Sequence, residues 1–205
     1  MTFPPPSSTS PKPVLLVASD GSGGYSDLTS AAGTPSASAT TVQGIGYASE
    51  AQFTRPNDTT PYSARDVVGP AVTGNLAFAA AGPAGGGKVL IDRVTLRLDR
   101  NSVASGMAGF RLHLYSSGPT ALADNAAYNL IAGDRTKYLG CIEIPTPIDN
   151  GDTIWADTEA MGLPVRMQVT IPSGGALVGV LETLGAYTPE AQTVNTVGLH
   201  GMLIG

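Results

Sequence analysis

The closest match to a known catalytic motif lies in a glycine-rich stretch, residues 82–88. Its letters, GPAGGGK, satisfy the G-x-x-x-x-G-K pattern of a phosphate-binding loop. Such a loop needs backbone N–H groups at the start of a helix and a following Ser or Thr that binds Mg²⁺. Here Val89 follows Lys88, Pro83 removes one N–H donor, and the residues that come next alternate like a strand. We therefore predict a loop between strands and no nucleotide site.

Histidine and cysteine are too few for most nucleophilic or metal chemistry. The two histidines, His113 and His200, are far apart in the sequence, and no G-x-S-x-G motif accompanies them. We expect His113 on the outward face of a strand, exposed or at an interface, and His200 in a structural role. The single cysteine, Cys141, excludes an intrachain disulfide, and we expect it to be a buried strand thiol. The chain is therefore predicted to be no enzyme, with no catalytic residue, no metal site and no cofactor.

Oxygen ligands and aromatic rings give only weak signals. Two acidic turns, residues 20–24 and 149–152, lack the spacing of a calcium-binding EF-hand, and their residue types are those that turns prefer. No pair of carboxylates stands out as the acid and base of a glycosidase. The single tryptophan, Trp155, is sparse for a carbohydrate platform. We predict that it is either a core residue or an interface anchor.

Composition excludes several classes of protein. Only 13% of the 205 residues are charged, with 11 Lys and Arg against 16 Asp and Glu. The few dispersed basic residues do not make the positive face of a nucleic-acid-binding protein. Glycine and proline are abundant, at 26 and 16 residues, without the period of collagen. No apolar run approaches the roughly 18 residues of a membrane helix, so we expect no membrane partner and a soluble protein made in a cytoplasm.

Alternation of apolar and polar residues predicts the elements that position these side chains. Three segments, 93–98, 110–115 and 165–171, alternate strictly with period two, as half-buried antiparallel strands do. Further strands are predicted at 45–54, 74–80, 138–144, 152–157, 176–183 and 193–204. Residues 149–152 and 172–175 are predicted hairpin turns. Only residues 119–131 have the composition for a turn or two of helix.

These short strands and turn signals predict an all-β domain, an antiparallel β-sandwich or jelly roll, over residues 45–205. Residues 1–44 are rich in Pro, Gly, Ser and Thr and predict an extended, irregular N-terminal arm. The arm has one apolar cluster, the candidate interface residues Val14, Leu15, Leu16 and Val17. Two interpretations of the arm stay open: a disordered tail, or a segment that becomes ordered against a partner subunit.

Several segments resemble structural proteins of tailed bacteriophages. They are residues 61–69 with 87–92, and residues 110–119 with 123–128 and the Tyr-Leu-Gly at 138–140. Over residues 61–204 the chain is similar to head decoration (cement) proteins. That resemblance implies a jelly-roll-like β domain and a homotrimer on the capsid surface.

The resemblance implies a structural virion protein that bridges major capsid protein subunits and stabilises the phage head. Its expected partners are the major capsid protein and other copies of itself, and its expected location is the virion surface, after synthesis in the host cytoplasm. Two alternatives remain. One is a tail-fibre or baseplate module that binds host glycan, which an exposed aromatic-lined groove around Trp155, Tyr128 and Tyr187 would favour. The other is a glycan-degrading enzyme with two carboxylates about 5–10 Å apart.

Overall fold

The computed structural model describes residues 46–204, together with the backbone of two short strands nearer the N-terminus. The chain divides into two units, Met1–Gln43 and Gly44–Gly205. In the first unit, strands β1 (Val17–Ser19) and β2 (Tyr25–Asp27) form an antiparallel pair. The candidate interface residues Val14, Leu15 and Leu16 lie outside the described residues, as does the side chain of Val17, so their predicted role stays a prediction.

Residues 46–204 contain eleven strands, one 3₁₀ turn at Ala132–Asp134 and no α-helix. No helix in this part of the chain could cross a membrane. The strands are β3 Gly46–Thr54, β4 Val67–Val68, β5 Asn75–Phe78, β6 Gly87–Leu98, β7 Phe110–Tyr115, β8 Tyr138–Ile144, β9 Ile148–Asp149, β10 Ile154–Asp157, β11 Met167–Ile171, β12 Leu177–Thr183 and β13 Val194–Leu203.

Within residues 46–204 all pairings are antiparallel and make two sheets. The first sheet has the order β3-β13-β6-β10-β9, and β11 pairs with the first half of β6. The second sheet has the order β4-β12-β7-β8, and β5 also pairs with β12. The fold is therefore the predicted antiparallel β-sandwich.

Strand pairing is nested along the chain. Strand β3 pairs with the last strand, β13; β4 and β5 pair with β12; β6 pairs with β11 and β10; and β7 pairs with its neighbour β8. Successive pairs fall alternately in the first and second sheets. This nesting, in which a folded ribbon of paired strands wraps around one core, is the jelly-roll topology.

Period-two alternation in the sequence explains which side chains fill the core. Val94, Leu96 and Leu98 of β6 are buried, while the residues between them face outward. The same rule holds in β7 and β11, although β11 begins at Met167 and not at the predicted 165. Burial of one apolar face per sheet is the main stabilising contribution to such a sandwich.

Of three local predictions, one is confirmed and two change in the structure. Residues 119–131 are turns and irregular backbone, and the single helical turn follows them at Ala132–Asp134. The 149–152 turn does join a hairpin, β9 to β10, in which Gly151 takes a left-handed φ of 95°. The 172–175 turn instead connects β11 to β12, which belong to different sheets.

The outer faces of the two sheets differ. Residues 116–137 fold over the second sheet, where Tyr128 packs with Val67, Tyr115 and Val180 in a small apolar cluster. The outer face of the first sheet carries polar and charged side chains, and Glu50 and Arg97 there are about half exposed, at 52% and 49%. The first sheet therefore offers the more open surface.

Candidate binding trench on the first sheet

Four neighbouring strands of the first sheet line an open depression of about 310 Å³, here called the Trp155 trench. Strand β3 contributes one side chain, β13 one, β6 three and β10 two. The lining residues are Glu50, Arg93, Thr95, Arg97, Trp155, Asp157 and His200. Each lies at an outward-facing position of its strand. Because successive strand residues face opposite sides of the sheet, the same alternation places apolar residues in the core and these residues on the surface.

Strand register aligns the trench across the sheet. Glu50 lies opposite Gly198, Gly198 opposite Thr95, and Thr95 opposite Asp157. A Cβ atom at Gly198 would collide with Thr95 Oγ1 and would lie 3.1 Å from His200 Nε2. The missing side chain at Gly198 therefore gives the trench its depth.

Ion pairs hold the charged walls in place. Arg97 Nη2 donates to Glu50 Oε1 at 2.8 Å, and Arg93 Nη1 lies 3.8 Å from Asp157 Oδ2. The buried Asp157 carboxylate also accepts N–H bonds from Glu159 at 2.9 Å and from Ala160 at 3.2 Å, so it fixes the turn after β10. Arg97 and Glu50 remain accessible to a ligand because their pair is exposed.

His200 is fixed in one neutral tautomer at the trench floor. Its Nδ1 lies 3.2 Å from Arg93 Nη2, and a guanidinium only donates, so Nδ1 accepts and Nε2 carries the proton. Nε2–H then faces Thr95 Oγ1 at 3.4 Å. Burial, followed by the positive charge of Arg93, lowers the pKa of His200 below its usual 6.5. The ring is therefore uncharged at neutral pH.

Trp155 lies on the outer face of β10 and not in the core. Its backbone pairs with Arg97 on one side and Ile148 on the other, and its side chain is half-buried at the trench wall. A second depression of about 240 Å³ shares Arg97 and continues past Asp99, Thr153, Val194 and Thr196. Of the two predicted roles of Trp155, the structure excludes the core residue, and the interface anchor stays a prediction.

The trench has the features of a binding surface. It combines one aromatic ring with donors from two arginines and acceptors from Glu50. Its two carboxylates, Glu50 and Asp157, lie on strands β3 and β10, which are three strand spacings apart in the sheet. At the usual spacing, the backbones of these two strands are roughly 14 Å apart. Each of them is already engaged with an arginine. This arrangement differs from the closely spaced acid pair of a glycosidase.

The three aromatic residues whose groove would favour glycan binding do not line one surface in the structure. Tyr128 points from the 116–137 segment onto the second sheet and is buried there, and Tyr187 is buried against Tyr62 and Phe110. Of the three, Trp155 alone lines the trench. Sequence alternation identified the outward strand residues but could not show which aromatic side chains lie under a folded loop.

The predictions for His113 and Cys141 are both wrong, because His113 is buried and Cys141 is exposed. His113 does point to the outer face of β7, but residues 116–137 bury it, with its ring stacked 3.7 Å from that of Tyr128. Its Nε2 lies 2.7 Å from Oε2 of the fully buried Glu182. Cys141 is exposed, because Ile142 and Ile144 occupy the inward positions of β8.

A buried polar cluster that sequence reasoning missed fixes the loops at one end of the sandwich. Asp124 accepts hydrogen bonds from Arg55 Nη2 at 2.8 Å, Tyr62 Oη at 2.6 Å and Gly69 N at 2.9 Å. Arg55 also donates to Tyr62 Oη at 2.6 Å. Through Asp124, residues 61–69 are held against residues 123–128, two of the segments that carry the phage resemblance.

Metal ligands do not converge in the described part of the chain: no group of three or more His, Cys, Asp or Glu side chains is placed to hold a metal ion. The buried acids Asp124, Asp157 and Glu182 instead face arginines. Their carboxylates are compensated by protein cations.

Comparison with known proteins adds little. No protein-family model and no curated protein matches the chain. A solved structure of infectious bursal disease virus, Gt strain, matches weakly, with 15% identity and a TM-score of 0.18. The match covers 77% of this chain and 42% of that chain. The fold assignment therefore rests on the strand pairing itself.

Proposed function

We propose that the chain is a structural virion protein, a decoration or cement protein that binds the major capsid protein and stabilises a phage head. The observation that carries the proposal is the open, Trp155-centred surface of a jelly roll, a fold used in viral capsid domains. Tryptophan and arginine are the residue types most enriched at interface hot spots, and the trench places Trp155 beside Arg93 and Arg97. The phage resemblance of residues 61–204 points the same way.

The proposed mechanism is stapling. A homotrimer on the capsid surface would bridge adjacent capsid subunits, and many symmetry-related copies would give avidity without strong single contacts. In this mechanism Trp155 anchors each contact, and the ion pairs around it form the polar rim.

The substitution Trp155→Ala is expected to weaken binding to empty capsid shells of the encoding virus by roughly ten- to a hundredfold, because a truncated hot spot costs about 2 kcal/mol or more. Sedimentation of shells with labelled protein measures the occupancy. Gln168→Ala is the matched control, since it removes an exposed side chain from β11 in the same sheet. Equal shell occupancy by the wild type and Trp155→Ala would show that the trench does not contact the capsid.

Deletion of residues 1–44 is expected to weaken shell binding while leaving the β domain folded. Strands β3 to β13 form their own core, so the melting transition of the truncated protein should remain cooperative. Circular dichroism measures folding, and shell sedimentation measures binding. A truncated protein that is folded and occupies shells fully would show that the arm has no part in attachment.

A second candidate function is glycan binding, as in a tail-fibre or baseplate module. It is favoured by the open trench in which one aromatic wall faces guanidinium and carboxylate groups, because sugars stack on aromatic rings and hydrogen-bond at their edges. Trp155 is the only tryptophan, so its fluorescence reports this surface directly. Saturable fluorescence changes with host glycan that disappear in Arg97→Ala, which removes an exposed donor from the trench, would favour this candidate over the capsid contact.

A further inference from the structure

A separate cleft, of about 390 Å³, lies where the edges of the two sheets face each other. Its walls are two runs of consecutive residues, Cys141, Ile142 and Glu143 on β8, and 163–167 leading into β11. Neighbouring residues of a strand point to opposite faces, so a wall of consecutive residues is the edge of a strand and not one of its faces. The cleft is distinct from the Trp155 trench.

Both walls present backbone that no described strand pairs. Within residues 46–204, strand β8 pairs only with β7, and β11 pairs only with β6. In the approach to β11, the Val165 N–H bonds back to Asp92 O of β6, which leaves the other edge of this segment toward the cleft. An uncovered strand edge is a template for an additional strand. The bulge of β8 lies at its beginning, near Leu114 and Tyr115 of β7, so Cys141 to Ile144 remain regular.

The side chains along the cleft define what would fit. Leu163 is 48% exposed, and Val165 and Met167 pack against the core beside it. Glu143 is held by Arg111 at 2.8 Å. Arg166 is exposed and has no ion-pair partner among the described residues. The cleft therefore combines an apolar floor, two backbone edges and one uncompensated positive charge.

We propose that this cleft binds an extended segment of a partner polypeptide, which adds as a strand along β8. The segment has apolar side chains at alternate positions, directed at Leu163, Val165 and Met167, and an Asp or Glu opposite Arg166. Main-chain hydrogen bonds supply affinity in such β-augmentation, and alternate side-chain pockets supply specificity. This proposal is independent of the capsid function, since it concerns a different surface.

Cys141 provides the test, because it is the only cysteine, is exposed and lies in the cleft wall. The probe is a synthetic heptapeptide with valine at alternate positions and one aspartate. At a peptide concentration ten times its Kd, about nine tenths of the clefts are occupied. The rate of Cys141 alkylation is therefore expected to fall about tenfold. Slowed exchange of the Cys141 and Glu143 amides should accompany the protection.

Two controls separate strand addition from apolar adsorption. A peptide with the same side chains and alternate N-methylated amides cannot pair with an edge, so it should not protect Cys141. In Arg166→Glu the preference should invert, with a lysine-containing peptide protecting Cys141 better than the aspartate peptide. Protection that is absent, that the N-methylated peptide reproduces, or that Arg166→Glu leaves unchanged would overturn the proposal. Peptide-free protection that rises with protein concentration would assign the cleft to a second copy and overturn it equally.

Discussion

Asp124→Ala is expected to lower the free energy of unfolding by about 3–5 kcal/mol, because it leaves the Arg55 guanidinium buried without its partner. The side chains of Arg55 and Asp124 are 2% and 3% exposed. The same change removes the acceptors of Tyr62 Oη and Gly69 N. Urea unfolding followed by circular dichroism measures the loss.

The exposed pair Glu50–Arg97 is the matched control for Asp124. It has the same 2.8 Å separation as the buried pair, but both side chains are about half exposed. Glu50→Ala should therefore cost less than about 1 kcal/mol. The double variant Arg55→Met with Asp124→Leu should recover part of the stability lost in Asp124→Ala, since no unpaired charge remains. Equal losses for Asp124→Ala and Glu50→Ala would show that the buried cluster has no special role.

Stability is expected to fall as the pH drops below about 6.5, by up to about 1.4 kcal/mol per pH unit for His113. Burial is the main cause that lowers the pKa of His113, and the positive charges of Arg111 and Arg65 add to it, while Glu182 acts in the opposite sense. Between the two pKa values, His113 is protonated in the unfolded chain but neutral in the folded protein. The stabilisation that neutral His113 contributes is complete above pH 6.5. It is lost progressively as the pH falls toward the lowered pKa of the folded protein.

His113→Gln should flatten the pH profile, because glutamine keeps a polar side chain near Glu182 and Tyr138 without titrating. Urea midpoints at half-unit steps from pH 5 to 8 give the comparison. His200, whose pKa is also lowered, adds to the slope in the same direction, so His200→Gln in the trench is the parallel control. Profiles of wild type and His113→Gln that run parallel would contradict the assignment to His113.

The strands and their inward faces were predictable because alternation is a local signal. Residues 110–115 and 138–144 are predicted with the exact bounds of β7 and β8. The two-residue strands β4 and β9 were missed, since two residues carry no period. The exposure of Cys141 was available from the same pattern, because Ile142 and Ile144 alternate with it as inward residues.

The candidate sites were less predictable because they depend on loops and on distant residues. Alternation placed Arg93, Thr95 and Arg97 on an outer face, but the depth of the trench comes from Gly198, which reaches them only through the β6–β13 register. His113 is buried by residues 116–137, which have no regular pattern. Asp124 and Arg55 are 69 residues apart, so nothing local indicated their ion pair.

The nested pairing also constrains how the domain can reach its native state. Strand β3 finds its partner only in β13, so the sheet that starts at Gly46 is completed by residues near 200. Contacts between residues this distant in sequence slow folding, since the whole loop must close before they form. During synthesis, β6 likewise lacks β13 until the last strand has left the ribosome. We therefore expect the β domain to fold only after translation of its final strand, with β7 and β8 as the earliest pair.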